Sequence, residues 1–267
     1  MEKFRQVAIV GGTHGNEFTG AYLIKKFEKF PELVKRPSFE TLVMLANPQA
    51  FQANRRYLDK DLNRCFSIED LNNSLGSSYE ENRARFINKV LGPKGNPHVD
   101  FIMDLHSTTA NMGLSIVLLD DNPFNLKLAA YLSSIEPRVK IYSWIEPEKE
   151  SSFLNSICDK GFGIEVGPIP QGTLQATLFQ KTEELLHAIL DYLDKYNQGK
   201  IPQISQSVTI YQHLKVVDYP KNEDGEIEGM IHPQLQGGDY EELKPGEPLF
   251  LTFDKDLNRC FSIEDLN

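Results

Sequence analysis

Val7-Ala8-Ile9-Val10-Gly11-Gly12-Thr13-His14-Gly15-Asn16-Glu17-Phe18 is the stretch on which the fold turns. Its first four residues are wholly apolar, as in a strand buried on both faces. Gly11-Gly12 ends that strand. A helical spacing then follows, with Phe18, Tyr22, Leu23, Phe27 and Phe30 recurring along Asn16 to Phe30. A buried strand that passes through a tight turn into an amphipathic helix is how an α/β domain begins.

The same alternation continues outward. Thr41 to Leu45, Phe101 to Leu105, Leu114 to Leu119, Lys140 to Trp144 and Gly163 to Val166 read as strands. Ser78 is an N-cap candidate, with Glu80 and Glu81 in the first turn, Phe86, Ile87 and Val90 behind, and Gly92-Pro93 as the stop. Phe124 to Leu132 is helical. Thr173 to Tyr196 is the longest helix, with Leu178, Leu185, Leu186, Ile189 and Leu193 on its apolar stripe. The pattern predicts an α/β catalytic domain over residues 1–200, with a mixed, mostly parallel sheet flanked by helices. In such sheets functional groups gather where strands end. The turn-rich Asn197-Gln198-Gly199-Lys200-Ile201-Pro202 marks a boundary, and residues 203–253 read as a small β-rich domain. Residues 254–267 repeat residues 59–72 letter for letter. Repeat architectures show drifting copies at a regular period, so the second copy is expected to carry no function.

A chain of 267 residues buries a sizeable core without disulfides. The net charge of −10 argues against a nucleic-acid partner, which would want a basic face. It leaves room for a small anionic substrate held by a few arginines. The three cysteines form no CxxC pair and fit a reducing compartment. The first apolar run is too short for a signal segment, and no run approaches the roughly 20 apolar residues of a membrane span. A cytoplasmic protein without membrane contact is expected.

His14 and Glu17 are three residues apart, so on the opening turn of a helix both can point to one side and chelate one ion. Two His and one Glu with an open position describe a catalytic zinc site. HxxE alone is weak, and a polar turn at a helix start is its bland reading. Of the six histidines, His98 lies in a turn-rich loop, His187 on a surface helix, and His213 and His232 in the second domain. His106 remains, at the end of a strand and before the polar turn Ser107-Thr108-Thr109. Asp104 shares its strand face and can orient it. The alternative is a strand-end His satisfied by a hydrogen bond.

Glu165, inside Gly163-Ile164-Glu165-Val166-Gly167, is costly to bury unless paired or functional. Burial moves its pKa toward neutrality, as suits a general base and acid; a structural salt bridge is the alternative. In Asn54-Arg55-Arg56-Tyr57-Leu58-Asp59-Lys60-Asp61-Leu62-Asn63-Arg64, Asn63 and Arg64 can grip a carboxylate. Arg56 can polarise a carbonyl. Such a mixed-charge loop is otherwise solvated surface.

Taken in order, GGTHGNE, RRYLDKDLNR, DLHSTTANMG and GIEVGPIPQG resemble the aspartoacylase family, which includes aminoacylase-3 and is related to succinylglutamate desuccinylases and zinc carboxypeptidases. The likeness runs from about Val7 to Leu251. It implies a carboxypeptidase-like domain followed by a small β domain covering the active site. By motif match it implies one zinc per subunit on His14, Glu17 and His106, with Glu165 as general base and acid. Arg56 would polarise the carbonyl, and Asn63 with Arg64 would hold the α-carboxylate. The implied reaction is hydrolysis of an N-acyl amino acid, N-acetyl-L-aspartate first, with another deacylase or desuccinylase specificity, or an impaired zinc-binding relative, as alternatives. A homodimer is also implied. Two departures stand out. The family's second substrate arginine, ten residues before the catalytic glutamate, is Asn155 here. The copied tail stands where the family continues with a substrate-contacting tyrosine.

Overall fold

The computed structural model describes residues 3–73, 75–145, 151–202 and 207–253, and the backbone of 260–261. The chain divides into two compact units, Met1–His213 and Leu214–Asn267.

The first unit opens with β1 (Gln6–Gly11) and α1 (Phe18–Lys29), followed by β2 (Glu40–Leu45) and the short helices α2 (Pro48–Gln52) and α3 (Ile68–Asn72). Helix α4 (Tyr79–Leu91) starts at a capping box: Ser78 Oγ accepts from Glu81 N, and Glu81 returns the bond to Ser78 N. Then come β3 (Phe101–Ser107), β4 (Gly113–Leu118), α5 (Pro123–Ile135), β5 (Val139–Ser143), β6 (Gly161–Gly167), α6 (Ala176–Asn197) and β7 (Ile210–Gln212). Every strand and long helix expected in the first 200 residues forms, with ends shifted by a few residues.

The seven strands lie in the order β2-β1-β3-β6-β4-β5-β7. All neighbours are parallel except β6 and β4. The strand order turns back at β1, whose flanks are β2 and β3, and a crevice at the carboxyl ends of β1 and β3 is the place where such sheets bind ligands.

Side chains alternate faces along each strand, and two cores result. Val7 and Ile9, Phe101, Met103 and Leu105, and Phe162, Ile164 and Val166 pack with α1, α5 and α6. Ala8, Val10 and Ile102 pack on the other face with Ala84, Ile87 and Leu91 of α4. By the same alternation Asp104 and His106 of β3, and Gly163 and Glu165 of β6, continue this second face toward the strand ends, in the register Asp104↔Gly163 and His106↔Glu165.

One segment differs from the sequence expectation. Ile210–Gln212, beyond the turn-rich stretch at 197–202, pairs with Ile141–Ser143 and completes the edge of the large sheet. A β-branched strand binds wherever an open edge offers unpaired backbone groups, and composition cannot say which sheet that is.

The second unit holds a three-stranded antiparallel sheet of β8 (Gly229–Ile231), β9 (Phe250–Thr252) and β10 (Cys260–Phe261), ordered β10-β9-β8. The copied stretch 254–267 lies outside the described residues except for the backbone of β10. Among the described residues no helix is long and apolar enough to cross a membrane.

Candidate active site

At the end of β1 the chain turns on Gly12, whose φ of +67° is cheap only for glycine. A Cβ on Gly15 would lie 2.1 Å from the Ala50 carbonyl carbon, so the loop can rest on α2 only with hydrogen there. These turns delay the helix. Glu17 is the N-cap of α1, at φ −91° and ψ 84°, and Phe18 is the first helical residue. His14 and Glu17 therefore share a side through a tight turn closed by Glu17 N–H donating to His14 O at 3.2 Å, and not through a helical turn as the spacing suggested.

The two carboxylate oxygens of Glu17 meet two imidazoles. Oε1 lies 2.7 Å from His14 Nδ1, and Oε2 lies 2.9 Å from His106 Nδ1. Ser107 N–H also donates to Oε2 at 3.1 Å. The far ring nitrogens face carboxylates as well, His14 Nε2 on Asp61 at 2.9 Å and His106 Nε2 on Asp104 at 2.9 Å. Asp104 is itself held by Thr13 Oγ1, which donates at 2.7 Å. Burial opposes the charge on Glu17, but the two imidazoles hold its pKa at about 2. Against the same burial, Asp104 and Glu17 raise His106 well above its ordinary value, and Glu17 with Asp61 raises His14.

This donor set can hold a metal ion. His14, Glu17 and His106 are buried, and each offers a ligand atom, all within 4.8 Å of one another. Each Nε2 faces a carboxylate that can accept its proton, so loss of the Nδ1 proton would free a lone pair for a metal on the Glu17 side. A dication there would replace the protons that the imidazoles otherwise need beside a carboxylate. Two imidazoles and one carboxylate are the ligand chemistry of a catalytic zinc. The isosteric change Asp104→Asn is expected to weaken metal affinity about 10–100-fold in a chelator competition; unchanged affinity would rule out Asp104 as the orienting group.

The loop from Asn54 to Arg64 is ordered from beneath. Glu80 of α4, fully buried, accepts from the backbone N–H groups of Leu58 at 2.7 Å, Asp59 at 3.0 Å and Lys60 at 3.2 Å. Arg56 then reaches Glu17 Oε1 and Asp61 Oδ2, each at 3.3 Å. Burial works against ionised Asp61, yet its bond to His14 and the nearby Arg56 and Arg64 hold it well below the usual carboxylate range. Asn63 Oδ1 accepts from Leu154 N at 2.8 Å, which places its amide nitrogen 3.4 Å from His106 Nε2. The Arg64 guanidinium lies over the Phe153 ring at 4.5 Å.

Glu165 lines the same cavity, of about 450 Å³, with His14, Glu17, His106, Arg56 and Arg64. It makes no hydrogen bond or ion pair to a described residue, so a structural salt bridge does not account for it. Burial is the largest cause of its raised pKa, about 7, against the opposing pull of His106. A carboxyl that titrates near neutrality beside a metal-ligand cluster can take up and release a proton.

His14, Glu17, Arg56, Asn63, Arg64, His106 and Glu165 thus line one cavity. Asp61 and Glu80 were missed as site residues. Asp61 is one acid among several in a mixed-charge loop, and Glu80 reads as an ordinary first-turn helix acid; only the fold brings the loop backbone onto it.

The sequence matches two family profiles, the succinylglutamate desuccinylase/aspartoacylase catalytic domain over residues 3–193 and the AstE/AspA barrel-sandwich hybrid domain over residues 206–262. A probable aspartoacylase of Trichodesmium erythraeum is 63% identical over 95% of this chain and 87% of its own length. An N-acyl-aromatic-L-amino acid amidohydrolase (carboxylate-forming) of Rattus norvegicus is 42% identical over 93% of this chain and 79% of its own. The crystal structure of murine aminoacylase 3 superposes with a TM-score of 0.87 at 40% identity, over 95% of this chain and 85% of that one.

Proposed function

Because the chain belongs to the succinylglutamate desuccinylase/aspartoacylase family, an amide-hydrolysing family of N-acyl amino acid deacylases, we propose that it is a zinc-dependent deacylase with its active site at His14, Glu17, His106 and Glu165. The observation that carries this reading is the bridge of Glu17 between the two Nδ1 atoms, with Glu165 paired to His106 on the neighbouring strand. Within the substrate class, the motif resemblance points to N-acetyl-L-aspartate, while the rat relative's name points to N-acyl-aromatic amino acids.

His14, Glu17 and His106 would hold one zinc. When bound, zinc supplies Lewis acidity that polarises the scissile carbonyl and makes water a stronger acid. Glu165 takes a proton from the attacking water, whose oxygen forms the new bond to the acyl carbon. The Arg56 guanidinium, beside Glu17 and Asp61, faces the oxygen on which negative charge develops. As the C–N bond breaks, Glu165 returns the proton to the departing amine. Arg64, steadied by Phe153 and by its bond to Asn63 O at 2.9 Å, pairs with the α-carboxylate, and the Asn63 amide adds a donor. Glu165 thus ends in the charge state in which it began.

The test is a panel of N-acetyl and N-succinyl amino acids on the full chain, before and after chelation and zinc repletion. Release of free amino acid that is lost with the metal and restored by zinc is the expected result. A zinc-replete chain that hydrolyses no member would refute the proposal.

A further inference from the structure

The grip on the α-carboxylate is built from two irregular segments, and one side chain from elsewhere in the chain ties them together. Asn63 and Arg64 stand on the first, which runs on into fully buried Phe66. Phe153, under the Arg64 guanidinium, belongs to the second, residues 151–156, which runs into the one-turn helix Leu154–Ile157. Neither segment belongs to a strand, so no ladder fixes their spacing. Leu154 N–H donates to Asn63 Oδ1 at 2.8 Å, and Phe66 N–H donates to Ser152 O at 3.2 Å.

Lys94 spans both. Its ammonium donates to Phe66 O at 2.9 Å on the first segment, and to Ser151 O at 2.5 Å and Ser156 Oγ at 3.1 Å on the second. An ammonium carries three donors, and these three acceptors take one each. The Ser156 hydroxyl in turn donates to Phe153 O at 2.6 Å, next to the ring on which Arg64 rests. Lys94 is itself fixed just past the Gly92 end of α4, where Asn88 Oδ1 accepts from Lys94 N at 2.9 Å. That helix packs Ala84, Ile87 and Leu91 into one core with Phe66, Leu154 and Ile157. The ammonium is not among the described groups lining the substrate cavity; it lines an adjoining one of about 200 Å³ that shares Leu119 and Asn155 with it. It reaches a substrate only through the segments it binds.

Resting on the reading of Arg64 and Asn63 as the groups that hold the α-carboxylate, we propose that Lys94 is a positioning residue for substrate binding. Its ammonium sets the spacing of 63–66 against 151–156, and so aims the Arg64 fork and the Asn63 amide at one carboxylate. Fork-to-carboxylate pairing depends on that aim, and a displacement of about 1 Å in a positioning group costs up to about a hundredfold. Without the ammonium, the Phe66 carbonyl and its two companions lose a charged donor, and the segments lose their tie. The α-carboxylate lies away from the bond that breaks. A loosened grip therefore weakens ground state and transition state alike, which raises KM and spares kcat. A role in overall stability alone would lower the melting temperature and the active fraction and leave KM where it was.

The experiment is steady-state kinetics of the zinc-loaded full chain on whichever member of the N-acyl amino acid panel it turns over best, with zinc content and melting temperature measured alongside. Lys94→Met, similar in reach but without the charge, is expected to raise KM at least about tenfold, with kcat within about threefold and zinc per chain unchanged. Ser156→Ala keeps the ammonium and removes one of its acceptors, so KM is expected to rise about threefold in the same sense. This milder variant decides the matter if Lys94→Met does not fold. Lys94→Arg, which returns donors to the two carbonyls, is expected to recover part of the lost KM. A KM that neither Lys94→Met nor Ser156→Ala moves, or a fall in kcat alone, would overturn the proposal, while wild-type turnover keeps the deacylase reading intact. A wild type that hydrolyses no member of the panel would sink that reading, and this proposal with it.

Discussion

Glu165→Gln is expected to lower kcat by about 10²–10⁴-fold, the range that a positioned general acid and base contributes, with zinc content unchanged. The amide keeps the shape of the side chain but cannot accept the proton. Because the carboxylate makes no bond to a described residue, no structural network is lost with it. Its pKa sharpens the test. Burial lifts it from the ordinary glutamate value of 4.5 to about 7 in the folded, metal-free protein. Between those values the folded state holds a proton that the unfolded chain has released, so stability falls as pH rises through that window and stays lower above it. Metal-free Glu165→Gln should therefore melt higher than metal-free wild type at pH 8 and level with it near pH 4. A kcat within a few-fold of wild type would remove Glu165 from the mechanism.

The second large effect concerns the metal. His14→Ala and His106→Ala are each expected to reduce bound zinc from about one per chain to below about a tenth, with loss of turnover, because a three-ligand site cannot spare one donor. His187→Ala provides the contrast. His187 also has acids nearby, with Glu183 at 3.9 Å, but it lies on α6 against the Phe27 ring, and α6 packs on the sheet face opposite that of His106 and Glu165. Its replacement should leave zinc content unchanged. Metal analysis with circular dichroism on each variant separates a lost ligand from a lost fold. Full zinc occupancy in His14→Ala would refute the ligand assignment.

Strand β1, the glycine turn and helix α1 were legible because each is a local matter. Periodicity reports which side of an element is buried, and glycine reports where the backbone must turn. The candidate site was legible for a related reason, since ionisable residues set in apolar strands, such as Glu165 and His106, violate the local pattern and so mark themselves. That Ile210–Gln212 pairs with the edge of the large sheet was not legible, because strand composition carries no address.

By itself, then, the sequence determined the alternating α/β order, the capped helix at Ser78 and which residues are candidates to bind metal and move protons. Only the tertiary structure decided that Glu17 lies between two Nδ1 atoms, that Asp61 and Asp104 stand behind the two rings, and that Glu80 carries the arginine loop. Such arrangements join residues tens of positions apart, as in the contacts of Glu17 with His106 and of His14 with Asp61. They arise from sheet order and register, which the packing of the whole chain sets and no local window contains.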